Sequence, residues 1–280
     1  MHDRPYRSAL YIPGSKDRAL DKARGLPVDV ILFDLEDAVA PDAKVAARDT
    51  LHAALAGGGY GSRLRIVRIN GLDTEWGRAD AAAVAAMDCD AILLPKVNGT
   101  DDVDALAALV PDLPIWAMME TPQGILNAPN IANHPRIAGF VLGTNDLAKD
   151  LNSRTRAALH ASLQLCVLAA RAAGIVVLDG VYNAFKDEDG LRAECTEGRD
   201  MGFDGKTLIH PAQVAITNEI FGPTEDEIDL ARRQIAAFEA AEAEGQGVAV
   251  VDGRIVENLH IVTARATLAK AAAIATLENT

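Results

Sequence analysis

Read for its pattern of apolar and polar positions, the chain resolves into short, nearly continuous apolar runs separated by longer segments rich in Ala and Leu. The runs are SALYIPG (8–14), DVILFDLED (29–37), RLRIVRIN (63–70), AILLPKV (91–97), PIWAMMET (114–121), IAGFVLGTND (137–146), GIVVLDGVY (174–182) and DGKTLIHP (204–211). Strands that are apolar on both faces mark a parallel sheet covered by helices, and the intervening KVAARDTLHAALA and RTRAALHASLQLCVLAARAAG have helical length. About eight such units in about 210 residues predict an α/β fold of the closed (β/α)8 TIM-barrel type over residues 1–222. A doubly wound open sheet is the structural rival, but no G-x-G-x-x-G follows the first strand. GGGYG (57–61) precedes a strand and reads as a flexible connection.

The pattern changes over residues 223–280. Thr224 and Glu227 predict a capping box, Ile228, Ala231, Ile235 and Phe238 share one helical face, and Gly245 supplies the stop. A strand–turn–strand signal around Asp252-Gly253 follows, then an Ala-rich helix. The barrel does not need this extension, which reads as a C-terminal helix with a lid or oligomer arm.

Composition narrows the class. With 280 residues, 49% hydrophobic and 24% charged, the chain can bury a sizeable core. A net charge of −13 repels nucleic-acid backbones and anionic membrane surfaces, so neither is expected as a partner, and an anionic ligand needs a local basic pocket or a metal. Cys89, Cys166 and Cys195 fit neither a disulfide framework nor a Cys-x-x-Cys knuckle, and no apolar run approaches the roughly 18 residues of a membrane span. A cytoplasmic protein is expected.

In a parallel barrel the reactive groups belong at the C-terminal ends of strands. Asp34, Glu36 and Asp37 end the second run, Arg68 and Asn70 the third, Lys96 the fourth, Glu120 the fifth, and Asn145 and Asp146 the sixth. Oxygens from Glu120 and Asp146, with no His or Cys nearby in sequence, suit a hard cation such as Mg2+ and disfavour zinc. Arg68 offers a fork of donors for a carboxylate, and Asp34, Glu36 or Asp37 could orient it, which makes Glu36 and Asp37 candidate substrate-binding residues with Arg68 and Glu120. Each residue also has a plain structural reading: Glu120 as a helix-dipole or salt-bridge partner, Asp146 as a cap, Arg68 as a neutraliser of the DLED run. In PGSKDRALDKARG, Ser15 can cap a helix whose Lys16, Arg18 and Lys22 either hold phosphates of a long anionic ligand or form a solvated face paired with Asp17 and Asp21. His210 in LIHP is a base by residue type, though as easily a packed turn.

Taken in order, RSALYIPGSKDRALDKA, ILFDLEDAVAPDAKVAAR, VRIN, ILLPKV, METPQGILNAPNIA, VLGTNDLAKDL, GFDGKTLIHPAQV and VDGRIVENLHIVTAR resemble the citrate lyase beta-subunit-like family of the HpcH/HpaI aldolase superfamily, related to malyl-CoA and citramalyl-CoA lyases. The resemblance runs from Arg7 to about Arg265 and implies a Mg2+-dependent (β/α)8 enzyme, assembled as a homotrimer or hexamer in which a C-terminal segment covers a neighbouring site. It implies Glu120 and Asp146 as metal ligands, Arg68 as the residue binding the oxo-acid carboxylate, Asp252 as the acid–base group on the lid, and Lys16 and Arg18 as facing coenzyme A. The expected activity is carbon–carbon cleavage of a malyl- or citramalyl-type CoA thioester into acetyl-CoA and glyoxylate or pyruvate. Hydrolysis by a (3S)-malyl-CoA thioesterase and non-catalytic capture of an oxo acid are the alternatives. Two departures bear on substrate preference: Asn145 stands where the family often has an acidic residue, and VENLH where a Pro before the His is common.

Overall fold

The computed structural model describes residues 4–278 and divides into two compact units, Tyr6–Asn218 and a second that takes the chain from Glu219 onward. In the first, β1 (Ser8–Pro13), β2 (Val30–Asp34), β3 (Leu64–Arg68), β4 (Ala91–Leu94), β5 (Ile115–Met119), β6 (Ile137–Leu142), β7 (Val176–Asp179) and β8 (Gly205–Leu208) pair in sequence order. All pairs are parallel, and β8 returns to β1 with Ala9 opposite Thr207, closing the barrel. Each of the eight apolar runs supplies one strand.

The barrel is filled largely by alternate residues of its strands, including Ala9, Val30, Leu32, Ile66, Trp116 and Met118, while the intervening side chains such as Ile31 and Phe33 are buried against the outer layer. Trp116 needs room on β6. A Cβ on Gly139 would lie 2.7 Å from the indole, and the β5–β6 register slips between Ile115 and Trp116 at the same place. Burying each such large side chain contributes roughly 1.5–3 kcal/mol.

Two local expectations are corrected. Ser15 does not cap the first helix: that helix runs Asp17–Ala23 with Lys16 at the N-cap position and no side-chain cap, and Asp21 pairs with Arg24 rather than with Lys22. GGGYG is a shaped turn and not a slack one. Gly58, Gly59 and Gly61 take positive φ, and the buried Tyr60 ring packs edge-on against Phe33.

The second unit follows its sequence pattern. Thr224 and Glu227 exchange hydrogen bonds (2.8 and 3.2 Å) at the start of helix Glu225–Ala243. Gly245 ends that helix at φ +79°. β9 (Ala249–Val251) and β10 (Arg254–Val256) form a hairpin through Asp252 (φ +52°) and Gly253 (φ +73°), the mirror-image turn that suits a two-residue loop. Val251, Val256 and Ile261 pack with Ile235 and Phe238, whereas Val250 and Ile255, opposite one another across the hairpin, are exposed. Helix Asn258–Glu278 completes the unit. Among the described residues no helix is long and apolar enough to cross a membrane.

Candidate active site

The period of two that fills the barrel also fixes its mouth. On β2, Val30 and Leu32 point inward and Asp34 is next in the same series; on β3, Ile66 leads to Arg68; on β5, Trp116 and Met118 lead to Glu120. The last inward position of three strands is therefore ionisable, and all three side chains are buried. They line one cavity of about 290 Å3 together with Tyr11, Asp37 and Asp146.

Arg68 is the hub. Its Nε and Nη2 donate to the two oxygens of Asp34 at 2.7 and 2.6 Å, a bidentate pair, and Asp34 also accepts the N–H groups of Glu36 and Ala38. The remaining edge, Nη1, faces Glu36 Oε2 at 2.8 Å, without hydrogen-bond geometry, and donates to Asp37 at 3.3 Å. The guanidinium lies 4.8 Å from the Tyr11 ring centre. Burial alone would lower the Arg68 pKa, but Asp34 foremost among its neighbours holds it well above the ordinary value. Neutralisation of the DLED run and orientation by it are thus one arrangement, in which Asp34 fixes the fork and the Nη1 edge is the part able to take another carboxylate. The loop is pinned from behind by buried Lys44, whose Nζ donates to the carbonyls of Leu35 and Glu36.

Glu36 carries a stability consequence. Burial first, with Asp37 and Asp34 adding to it against the pull of Arg68, raises its pKa from 4.5 to about 7. A carboxyl whose folded pKa exceeds its unfolded value favours folding below about 4.5 and loses that contribution as pH rises through about 7. Glu36→Gln is therefore expected to be more stable than the parent at pH 8, by up to ~3 kcal/mol, and to match it at pH 4.5, as read by urea unfolding at the two pH values.

Glu120 is held by backbone. Its Oε1 accepts the N–H of Lys96 at 2.8 Å, and Lys96 adopts φ +53°, a left-handed conformation costly for a residue with a side chain, to direct that N–H inward. A Cβ on Gly143 would fall 2.4 Å from Glu120 Oε2, so only glycine fits there. Gly143→Ala should push the carboxylate out of place and reduce turnover about a hundred-fold, measurable as kcat at saturating substrate. Burial, then Glu36, raises the Glu120 pKa to about 8. Asp146, on the first turn of helix Thr144–Asp150, is half exposed with Lys96 Nζ at 3.6 Å.

These donors fit a hard divalent cation. The two carboxylates face the same cavity, no His or Cys lines it, and Glu120 is a buried acid whose ionised form lacks an adequate countercharge. Among the described residues no cluster of three or more His, Cys, Asp or Glu forms a metal cage, so the pair would leave most positions of an octahedron to water and ligand oxygens.

Other candidates lie elsewhere. Lys16 and Arg18 are exposed at the start of the first helix and do not line the cavity. Asn70 is committed to structure, its amide donating to Asp80 and to the Leu35 carbonyl. His210 accepts the Ala212 N–H through Nδ1 and stacks on Phe185, the packed-turn reading. Asp252 belongs to the second unit, where both its oxygens accept from Arg233 Nη1 at 2.7 and 2.8 Å; that bond first of all lowers its pKa. Sequence reasoning missed Tyr11, Thr144 and Asn183; only the inward parity of Tyr11 with Ala9 could have pointed to any of them.

Comparison with known proteins agrees with this architecture. The family of HpcH/HpaI aldolase/citrate lyase matches residues 7–211. A (3S)-malyl-CoA thioesterase from Cereibacter sphaeroides is 68% identical over 274 residues, 97% of this chain and 96% of that protein. An L-malyl-CoA/beta-methylmalyl-CoA lyase from the same species is 35% identical over 288 residues, covering 91% of each. The crystal structure of CitE from Mycobacterium tuberculosis in complex with magnesium, acetoacetate and coenzyme A superposes with a TM-score of 0.79 at 27% identity, over 96% of this chain and 98% of that one. The closed parallel barrel and these matches together place the chain in the HpcH/HpaI aldolase/citrate lyase family.

Proposed function

We propose that the protein is a Mg2+-dependent hydrolase of (3S)-malyl-CoA, rather than the carbon–carbon lyase that its motifs first suggest. The observation that carries this reading is the 68% identity, over nearly the whole chain, to a thioesterase of that name, against 35% to a lyase. The site's geometry supports capture of a small hydroxy acid at the barrel mouth. Arg68 presents its Nη1 edge to the acid's carboxylate, which takes over the charge contact now made by Glu36, while Asp34 keeps the fork in plane. Glu120 and Asp146 hold the cation, and Lys96 holds Glu120. When bound there, Mg2+ supplies a Lewis acid for substrate oxygen and lowers the pKa of water.

Hydrolysis adds water across the thioester: the carbonyl carbon gains the hydroxyl, the C–S bond breaks, and the sulfur leaves with the proton as CoA thiol. Cleavage instead needs a group that moves a proton between oxygen and carbon, the role that the family resemblance gives to Asp252. With both oxygens accepting from Arg233 and its pKa lowered by that bond, Asp252 would have to leave the pair to act as a base. The lyase remains the second reading because the motif set is shared with that activity; in it Asp252 acts from the lid of a neighbouring chain in a trimer, with Lys16 and Arg18 facing coenzyme A.

One incubation separates the readings. With (3S)-malyl-CoA and Mg2+, hydrolysis releases malate and free thiol in equal amounts and no glyoxylate. A lyase releases glyoxylate with acetyl-CoA and no free thiol, and a non-catalytic binder releases neither.

A further inference from the structure

A second cavity, of about 380 Å3, lies beside the first, and the two share Thr144, Asn145, Val181 and Asn183 as a common wall. The upper part of that wall is a reciprocal amide pair. Asn183 Nδ2 donates to Asn145 Oδ1 at 2.7 Å and Asn145 Nδ2 donates to Asn183 Oδ1 at 3.3 Å, joining the loops after β6 and β7. The lower part is packed shut: a Cβ on Gly180 would lie 2.4 Å from Thr144 Oγ1, so the β7 loop closes on Thr144 only because glycine is there. On the near side of the wall stand the carboxylates Glu120 and Asp146.

The far side carries two guanidinium groups. Arg154 and Arg156 both line it, with Ser153 and Thr155 between and beside them. Arg156 is consumed by Asp179, to which it donates twice (3.1 and 2.9 Å), and by Glu197. Glu194, the acid lining this cavity, accepts from buried Lys206 at 2.7 Å, which also donates to Asp179 at 2.9 Å, so Arg156 and Lys206 together serve Asp179, Glu194 and Glu197. Arg154 has no carboxylate partner among the described residues and is exposed. The chamber thus offers one uncommitted guanidinium, the Thr155 hydroxyl, a Ser153 hydroxyl that donates only at 3.4 Å to the Ala148 carbonyl, and the spare N–H of each bridging amide, a set that suits a carboxylate. Neutral amide hydrogen bonds contribute only about 1 kcal/mol each, so the partition can be opened by small changes.

Resting on the malyl-thioester reading above, we propose that the Asn145–Asn183 bridge limits the acyl group to one carboxylate, and that the chamber behind it, headed by Arg154, takes the second carboxylate of a longer hydroxyacyl thioester once the bridge is broken. Citryl-CoA, which carries one acidic branch more than malyl-CoA, is the probe.

Asn183→Ala, with Asn183→Ser beside it in case the alanine form folds poorly, should raise the citryl-to-malyl ratio of kcat/KM at least about ten-fold over the parent, a change of 1.4 kcal/mol. Adding Arg154→Ala should return that ratio to within two-fold of the parent, whereas Arg154→Ala alone should leave malyl-CoA turnover unchanged. A binding readout runs in parallel without metal: calorimetric titration with tricarballylate should tighten at least ten-fold in Asn183→Ala relative to succinate, and lose that gain with Arg154→Ala. A ratio and a tricarballylate affinity that stay within two-fold in both Asn183 variants overturn the proposal, as does a gain that survives loss of Arg154. If no variant hydrolyses any thioester yet the Arg154-dependent titration holds, the partition stands and the thioesterase reading falls.

Discussion

Glu120→Gln is expected to reduce the proposed hydrolysis of malyl-CoA by about a thousand-fold or more while leaving the fold intact. The side chain keeps its length, and its amide oxygen can still accept the Lys96 N–H that positions it at 2.8 Å. What disappears is the charge. Several kcal/mol of stabilisation by a bound cation depend on an anionic ligand, and each 1.36 kcal/mol is a factor of ten in rate. A neutral amide is also easier to bury than a carboxyl whose pKa burial has pushed to about 8, so the melting temperature should not fall. Kinetics with and without excess Mg2+, beside a thermal melt, check both halves; an active Glu120→Gln enzyme would remove Glu120 from the machinery.

Arg68 should show the second large effect, and its two variants should fail differently. Arg68→Ala leaves Asp34, 1% exposed, without its bidentate partner, and breaking a buried pair in this way costs about 3–5 kcal/mol. The expected result is a chain with a much lower urea midpoint and no measurable turnover. Arg68→Lys retains a positive charge for Asp34 but not the planar fork that satisfies Asp34 with one edge while facing the cavity with another. It should fold and bind substrate about a hundred-fold more weakly, mainly as a rise in KM, because one ammonium cannot serve both partners. A Lys variant with parental KM would mean that the Nη1 edge never meets the substrate.

Much of the fold was legible because its determinants are local. Eight apolar runs gave eight strands, and the capping pair Thr224–Glu227 and the Asp252-Gly253 turn formed where their residue types direct. The mouth was partly legible for the same reason: counting by twos from Leu32, Ile66 and Met118 leads to Asp34, Arg68 and Glu120. What stayed hidden depends on which loops meet. Nothing near Asn183 announces that it bonds to Asn145, 38 positions earlier, and nothing in ILLPKV shows that Lys96 turns left-handed to serve Glu120. The pairing of Asp252 with Arg233, 19 residues upstream, likewise arises only when the hairpin folds beside the helix. Ser15 failed as a cap because the helix began one residue later, at Asp17, leaving Lys16 in the capping position. The choice between hydrolysis and cleavage was illegible for a different reason: in the proposed site the same carboxylates and the same arginine would serve either outcome.

The central claim is that Glu120 and Asp146 share one hard cation beside an arginine held ready for a carboxylate. Titration of the protein with Mn2+ in place of Mg2+, followed by the loss of the free-ion electron paramagnetic resonance signal, tests it most directly. The account predicts one site per chain, displaced by Mg2+, weakened at least about a hundred-fold in both Glu120→Gln and Asp146→Asn, and retained in Arg68→Lys. Undiminished binding in either carboxylate variant would contradict it.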